Sequence, residues 1–144
     1  MKAPKKGIKW ETLGFGFSDV NCHIRYTWKN GKWSKPKYVK EPFIQMHIGA
    51  SCLHYGQECF EGIKAFRQKS GKIVIFRPDE NAKRMFRTAQ RTCMPAVPVE
   101  MFVDACKKVV KKNNLVQRNK KRWLFKQRNI YQIIYFLSNI LRVS

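Results

Sequence analysis

A change of hydrophobic period at residues 77–79 constrains the fold more than any other feature of this sequence. The run Ile73–Phe76 is continuously apolar, which predicts a strand covered on both faces. After Pro78 and Asp79 the apolar residues recur at helical spacing. Proline suits the first turn of a helix, and Asp79 is predicted to cap it. The apolar stripe of this predicted helix consists of Ala82, Met85, Phe86, Ala89 and Cys93.

A first hairpin is predicted around Asn30 and Gly31. Before it, four apolar residues alternate strictly with polar ones, the period of a half-buried strand: Cys22, Ile24, Tyr26 and Trp28. Asn30-Gly31 favours a type I′ turn because both residues tolerate a positive φ. A two-residue loop places Trp28 opposite Trp33 as an aromatic cross-strand pair, and the lysines beside them opposite each other. Pro36 then ends the returning strand or confines it to an edge.

A second hairpin and a second helix complete the predicted fold. Strands are predicted at residues 61–67 and 72–77, joined through a loop with glycine at its tip, and a further short strand at 43–48. Prolines in residues 94–98 end the first helix. The apolar side of the second helix consists of Val99, Phe102, Val103, Cys106, Val109 and Val110. The sequence thus predicts an α+β domain, an antiparallel sheet with hairpins packed against two helices.

The net charge and the amino-acid composition change along the chain. The net charge is +21, all nine acidic residues lie at or before Asp104, and residues 107–144 carry 11 basic residues. Residues 115–144 contain no Gly, Pro, Ala, Asp, Glu or Cys. Two interpretations of this end remain open: a genuine basic amphipathic tail, or translation of AT-rich DNA in a shifted reading frame. We therefore divide the chain into an N-terminal arm (1–18), a small domain (19–113) and an aberrant basic tail (114–144).

Several classes of protein are disfavoured. The basic N-terminus has no apolar run behind it, so no secretory signal is predicted. No stretch approaches the roughly 20 apolar residues of a membrane span. Five cysteines without a CxxC pair favour a reduced, cytoplasmic chain. His47, Cys52 and His54 lie close together but without zinc-ligand spacing, so no metal site is predicted.

Candidate binding residues lie between residues 54 and 95. One side of the predicted helix carries Arg84, Arg87 and Arg91. Such a row is either an anion anchor, because guanidinium groups match phosphate oxygens, or a solvated helix face. Tyr55 and Phe60 either line a pocket or belong to the core, and Gly62 permits close approach of a ligand to the backbone. The residues alone leave these alternatives open.

Two segments in this region resemble a known family. LHYGQECFEGIKAFR and GKIVIFRPDENAKRMFRTAQRTCMP are similar to the N-terminal domain of branched-chain amino acid aminotransferases, which are pyridoxal-phosphate enzymes of fold-type IV. The resemblance covers residues 14–113, approximately. It depends on a Tyr-Gly pair, a Phe-Glu-Gly triplet and the helix of Arg84, in the family's order and spacing.

The resemblance implies a set of roles. Arg84 would bind the cofactor phosphate, and Phe60 and Gly62 would line the pocket for an aliphatic side chain. Tyr55 would reach that pocket from the neighbouring subunit of a homodimer. The implied reaction transfers the amino group of leucine, isoleucine or valine to 2-oxoglutarate, giving a branched 2-oxo acid and glutamate.

The resemblance also implies what this sequence lacks. The Schiff-base lysine of the family lies in a larger C-terminal domain, and the sequence departs from the family within residues 111–115. We therefore nominate no catalytic residue, expect no covalent attachment of the cofactor, and expect the chain to be truncated and inactive.

Two other classes of function share features with this sequence. One is a different fold-type IV enzyme, a D-amino acid aminotransferase or an aminodeoxychorismate lyase, which the Phe60-Glu61-Gly62 context disfavours. The other is a non-enzymatic module whose basic tail binds nucleic acid or anionic lipid. Dispersed positive charge binds polyanions without specificity, so no specific nucleic-acid partner is expected.

Overall fold

Seven strands and three helices make up the described part of the chain. The computed structural model describes residues 20–68, 70–113 and 129–136. In chain order the elements are β1 (His23–Arg25), β2 (Trp28–Lys29), β3 (Lys32–Trp33), β4 (Lys37–Val39), α1 (Ser51–His54), β5 (Cys59–Arg67), β6 (Ile73–Ile75), α2 (Pro78–Arg91), α3 (Val99–Asn113) and β7 (Asn129–Phe136). The predicted α+β class, with antiparallel strands packed against helices, is confirmed.

The first hairpin has the predicted turn and register. Asn30 and Gly31 adopt φ values of 52° and 76°, and Trp28 lies opposite Trp33 in the antiparallel pair of β2 and β3. The two indole rings meet edge to face, with centroids 5.3 Å apart. The predicted long first strand is divided, however, because β1 pairs with β4 rather than continuing into β2. Trp33 also donates its indole N–H to the Ala96 carbonyl at 3.2 Å, which fastens the hairpin to the loop between α2 and α3.

Two strand predictions were wrong. Residues 43–48 form no strand; Phe43 is 79% exposed, and in the described residues no neighbouring strand pairs with this segment. The run Ile73–Phe76 is not covered on both faces, since β6 is half-buried and Phe76 is exposed. β6 is the outer strand of a sheet with the order β6-β5-β7, and within the described residues only one face of that sheet packs on helices.

The strand β5 is the central strand of the three-stranded sheet. It pairs antiparallel with β6 over Ala65–Arg67 and with β7 over Cys59–Phe66. β7 lies inside residues 114–144, the segment that we interpret from its composition as an aberrant basic tail. No strand was predicted there. The predicted arm (1–18) and the rest of the tail lie outside the described residues.

Helix α2 begins one residue earlier than its predicted cap. Pro78 occupies the first helical position and Arg77, at φ 41°, is the capping residue, so the prediction that Asp79 caps the helix was wrong. Asp79 lies in the first turn, where a carboxylate is favourable beside the positive end of the helix dipole. The helix buries Ala82, Met85 and Ala89 as predicted, whereas Cys93 lies beyond the helix and is exposed. Ala82 and Met85 belong to a core cluster together with Ile63, Val97, Phe102 and Cys106.

The end of α3 is tied to the start of β1 by one buried side chain. The Oδ1 atom of Asn113 accepts hydrogen bonds from the backbone N–H groups of Asn21 (2.9 Å) and Cys22 (3.3 Å). Its Nδ2 atom donates to the carbonyls of Cys22 and Val109, both at 2.9 Å.

Among the described helices, none has the length and apolar character required to cross a membrane.

Candidate functional site

The candidate site is built on the first half of β5 and the outer side of α2. Side chains alternate between the two faces of a strand. Glu61, Ile63 and Ala65 are buried against the helices, whereas Phe60 and Gly62 lie on the exposed face. The same strand therefore presents a buried carboxylate to α2 and an open apolar position away from it.

Glu61 and Arg84 form a bidentate ion pair. Arg84 donates from Nε to Oε1 and from Nη2 to Oε2 of Glu61, both at 2.6 Å. The side chain of Glu61 is 5% exposed and that of Arg84 is 64% exposed. Asn81, one turn earlier on α2, donates to Oε2 of Glu61 at 2.8 Å and to the Gly62 carbonyl at 3.3 Å. The buried carboxylate thus fixes the plane of a guanidinium group that reaches solvent.

The ion pair stabilises both charged forms. Burial alone would raise the pKa of Glu61. The hydrogen bonds from Arg84 and Asn81, together with the charge of Arg84, outweigh burial and hold that pKa below its usual value. The hydrogen bond and the charge of Glu61 raise the pKa of Arg84. Both groups are therefore ionised at neutral pH.

Arg84 keeps donors available for a second anion. A guanidinium group has five N–H donors, and among the described residues two of them are engaged, both by Glu61. The remaining donors lie on a side chain that is open to solvent. Arg87 and Arg91 on the same helix are exposed as well, and within the described ranges neither makes an ion pair. Only Arg84 of the three arginines is held by a buried group.

The predicted substrate residues are exposed, and the structure does not bring them together with Arg84. Phe60 is 70% exposed on the outer face of β5, opposite the face that carries the ion pair. A Cβ atom added at Gly62 would meet no atom within 4 Å. Tyr55 is 87% exposed in the loop after α1. Gln57 holds that loop by donating to the Thr92 carbonyl at 2.7 Å.

Sequence reasoning missed Glu61 and Asn81 as partners of Arg84. A signal was present, since Glu61 shares the alternation that places Ile63 and Ala65 on the buried face of β5. A carboxylate at a buried strand position requires a cation or several donors nearby. The long sequence separation from Glu61 to Arg84 hides the pairing, because no local spacing rule connects a strand residue with a residue on the following helix.

The cysteines and histidines build no second site in the described residues. All five cysteines are free thiols. The ring of His47 accepts a hydrogen bond from the Gly49 backbone N–H at 3.0 Å. Across the described ranges, no three residues of the types His, Cys, Asp and Glu converge as metal ligands would.

Comparison with known proteins relates the chain to aminotransferases. It is 49% identical over 108 residues to a branched-chain-amino-acid aminotransferase of Haemophilus influenzae, and 44% identical over 108 residues to one of Helicobacter pylori. Each match covers 75% of this chain and 32% of the relative. A chloroplastic branched-chain-amino-acid aminotransferase of Arabidopsis thaliana is 42% identical over 124 residues, covering 81% of this chain and 27% of the relative. No family model matches the chain. The chain thus spans about a third of the length of the curated relatives it matches.

Proposed function

Because the chain is homologous over three-quarters of its length to branched-chain-amino-acid aminotransferases, we propose that it carries the phosphate anchor of a pyridoxal 5′-phosphate site. Arg84 is the anchor. The observation that supports this proposal is the bidentate contact at 2.6 Å, through which a buried carboxylate fixes a solvent-facing guanidinium group. The contact neutralises the buried carboxylate and leaves the other N–H groups of Arg84 facing solvent.

The donor set suits a phosphate group. The free N–H groups of Arg84 match two phosphate oxygens in bidentate fashion. Arg87 and Arg91 add positive charge on the same helix, which favours the approach of an anion. Glu61 acts in the opposite direction by cancelling part of the charge of Arg84, so the described residues provide one oriented anchor rather than a complete phosphate site. When bound, pyridoxal phosphate supplies an electron-withdrawing ring that acidifies the carbon bearing the amino group.

We propose that the outer face of β5 forms one wall of the substrate pocket. Phe60 supplies apolar area for the side chain of leucine, isoleucine or valine, and each buried methylene contributes about 0.8 kcal/mol. Gly62 leaves the space beside Phe60 empty. In the whole protein this wall would serve transfer of the amino group to 2-oxoglutarate.

We propose that the whole protein is a homodimer and that Tyr55 acts across its interface. Tyr55 is 87% exposed, and Gln57, two residues later, ties its loop to the Thr92 carbonyl through a hydrogen bond. Two large apolar side chains earlier in the same part of the chain, Phe43 and Ile48, are also exposed. An exposed apolar patch of this kind favours burial against another protein surface.

We place the protein in the cytoplasm. Five free thiols, of which Cys93 is exposed, suit a reducing compartment.

The proposal is tested by comparing two ligands that differ only in the phosphate. Equilibrium binding of pyridoxal 5′-phosphate and of pyridoxal to this chain is measured through quenching of tryptophan fluorescence. The phosphate ester should bind more tightly than pyridoxal, and Arg84→Gln should remove that difference. A charge-assisted hydrogen bond contributes about 1.5–3 kcal/mol, so the expected loss of affinity is about tenfold to a hundredfold.

Arg87→Gln is the matched control, because it removes the same charge from the same helix without a buried partner. We expect it to weaken binding of the phosphate ester by no more than about threefold, as for one screened surface charge. Equal losses in the two variants would show non-specific attraction of an anion to a basic helix, and would refute the role of Arg84.

A further inference from the structure

We propose that Asn81 is a positioning residue for the phosphate anchor, and that it leaves Arg84 available to an anion by sharing the buried carboxylate of Glu61. This role rests on the proposed function of Arg84. Asn81 itself needs no contact with the phosphate, because it acts through Glu61.

The side-chain amide of Asn81 grips β5 at two adjacent residues. Its Nδ2 atom donates to Oε2 of Glu61 at 2.8 Å and to the Gly62 carbonyl at 3.3 Å. An amide NH2 group has two N–H donors, enough for one to each acceptor. Both partners are oxygen acceptors, so the NH2 end of the amide must face them. Asn81 and Arg84 are three residues apart on α2, a spacing that places them on one face of the helix.

Asn81 relieves a competition within the proposed anchor. Glu61 is 5% exposed, so its charge requires donors from the protein rather than from water. Among the described residues, Arg84 supplies two hydrogen bonds to this carboxylate and Asn81 a third. A phosphate at Arg84 competes with Glu61 for the same guanidinium charge. Because Asn81 also holds the carboxylate, Glu61 depends less on Arg84, and more of that charge is left for the phosphate.

The titration of Glu61 reflects this division of roles. Burial raises the pKa of Glu61, and the hydrogen bond from Asn81 is, after that from Arg84, one of the contacts that outweigh burial. A neutral donor thus helps to keep the carboxylate ionised.

The second hydrogen bond of Asn81 connects the anchor with the proposed substrate wall. Gly62 lies on the exposed face of β5, and Asn81 holds its carbonyl from α2. One amide therefore fixes the helix that carries Arg84 against the strand that carries Phe60 and Gly62.

Three variants of the full chain test the role of Asn81. Asn81→Ala removes both hydrogen bonds, and alanine has the highest helix propensity, so α2 is not weakened by the new residue. Asn81→Asp keeps the shape of the side chain but places a second carboxylate beside Glu61. Gln90→Ala is the matched control, because it removes an amide from an exposed position of the same helix.

The first measurement needs no ligand. Carbon-13 NMR of the side-chain carboxyl group follows the titration of Glu61 in each variant. The pKa of Glu61 should rise in Asn81→Ala, because a hydrogen bond to the charged form is lost. It should rise further in Asn81→Asp, because a like charge lies beside it, and should not change in Gln90→Ala. An unchanged pKa of Glu61 in both Asn81 variants would overturn the proposal.

The second measurement is the ratio of affinities for pyridoxal 5′-phosphate and pyridoxal. Asn81→Ala should lower this ratio about fivefold, as for one net hydrogen bond, with little change in the affinity for pyridoxal. Asn81→Asp should also lower it, so the test does not depend on one variant, and Gln90→Ala should change it less than about twofold. If Arg84→Gln lowers the ratio and neither Asn81 variant does, the role of Asn81 alone is refuted. If the unmodified chain shows no preference for the phosphate ester, the anchor itself is refuted, and the role of Asn81 with it.

Discussion

Replacing Glu61 by glutamine tests whether the buried carboxylate holds Arg84. The substitution keeps the shape of the side chain but removes its charge and turns one acceptor into a donor. Fully exposed ion pairs contribute about 0–1 kcal/mol, and breaking a fully buried pair costs about 3–5 kcal/mol. Here the carboxylate is 5% exposed and the arginine 64% exposed. Water can therefore solvate the released arginine, and we expect an intermediate loss of about 2 kcal/mol in the free energy of unfolding.

Urea denaturation followed by tryptophan fluorescence measures this loss. With a slope of about 1–3 kcal/mol per molar urea, the midpoint of Glu61→Gln should fall by about 1 M. Glu58→Gln is the matched control: it makes the same chemical change three residues earlier, at an exposed position. Its free energy of unfolding should stay within about 0.5 kcal/mol of the unmodified chain.

The effect should also depend on pH. The pKa of Glu61 is lowered in the folded chain, so its contribution is present above the unfolded value of about 4.3 and is lost as the pH falls through the folded value. The difference in stability between the unmodified chain and Glu61→Gln should therefore be full at pH 7 and shrink as the pH falls below about 4. A difference that does not change between pH 7 and pH 3, or no difference at pH 7, would refute the reasoning.

Three further outcomes are expected. Asn113→Leu should lower the free energy of unfolding by about 3 kcal/mol in urea denaturation, because buried backbone groups at the start of β1 lose their partner; a loss below about 1 kcal/mol would contradict this. Gly31→Ala should lower the free energy of unfolding by about 1 kcal/mol, since Gly31 has φ 76°. Gly62→Ala should lower it less, because Gly62 lies in open space without a positive φ. A larger loss in Gly62→Ala than in Gly31→Ala would be inconsistent with the structure. Burial raises the pKa of the Cys106 thiol to about 12, so a thiol reagent at pH 8 should modify it on the order of a hundredfold more slowly than the exposed Cys93, and equal rates would show that the core is open.

The local parts of the fold could be predicted from the sequence. Asn30-Gly31 specified its turn, and the turn then specified the pairing of Trp28 with Trp33, because a two-residue loop leaves one register. The start of α2 at Pro78 followed from the proline, and the burial of Ala82, Met85 and Ala89 followed from helical spacing.

The errors in the strand predictions have a common physical cause, which is that burial and pairing depend on distant partners. Residues 43–48 have the composition of a strand but find no partner strand in the described chain. Phe76 ends an apolar run, yet it is exposed at the end of an edge strand. β7 is part of a segment that contains no glycine or proline to indicate turns. Its pairing with β5 therefore could not be predicted.

The candidate site shows the same division between local and distant information. The exposed position of Arg84 on α2 follows from helical spacing. The family resemblance distinguished Arg84 from Arg87 and Arg91 as the predicted phosphate anchor. The structure then revealed the contact of Arg84 with Glu61. The roles of Tyr55, Phe60 and Gly62 stay predictions, because the described residues contain no surface that faces them.

Nuclear magnetic resonance of the arginine side chains tests the central claim most directly. The Nε–H resonance of Arg84 should be resolved from those of Arg87 and Arg91, because Glu61 accepts its hydrogen bond at 2.6 Å. Titration with pyridoxal 5′-phosphate should shift the Arg84 resonance in a saturable manner, and pyridoxal should not. Equal shifts of all three arginines, or an Arg84 resonance that responds equally to the two ligands, would contradict the assignment of Arg84 as the phosphate anchor.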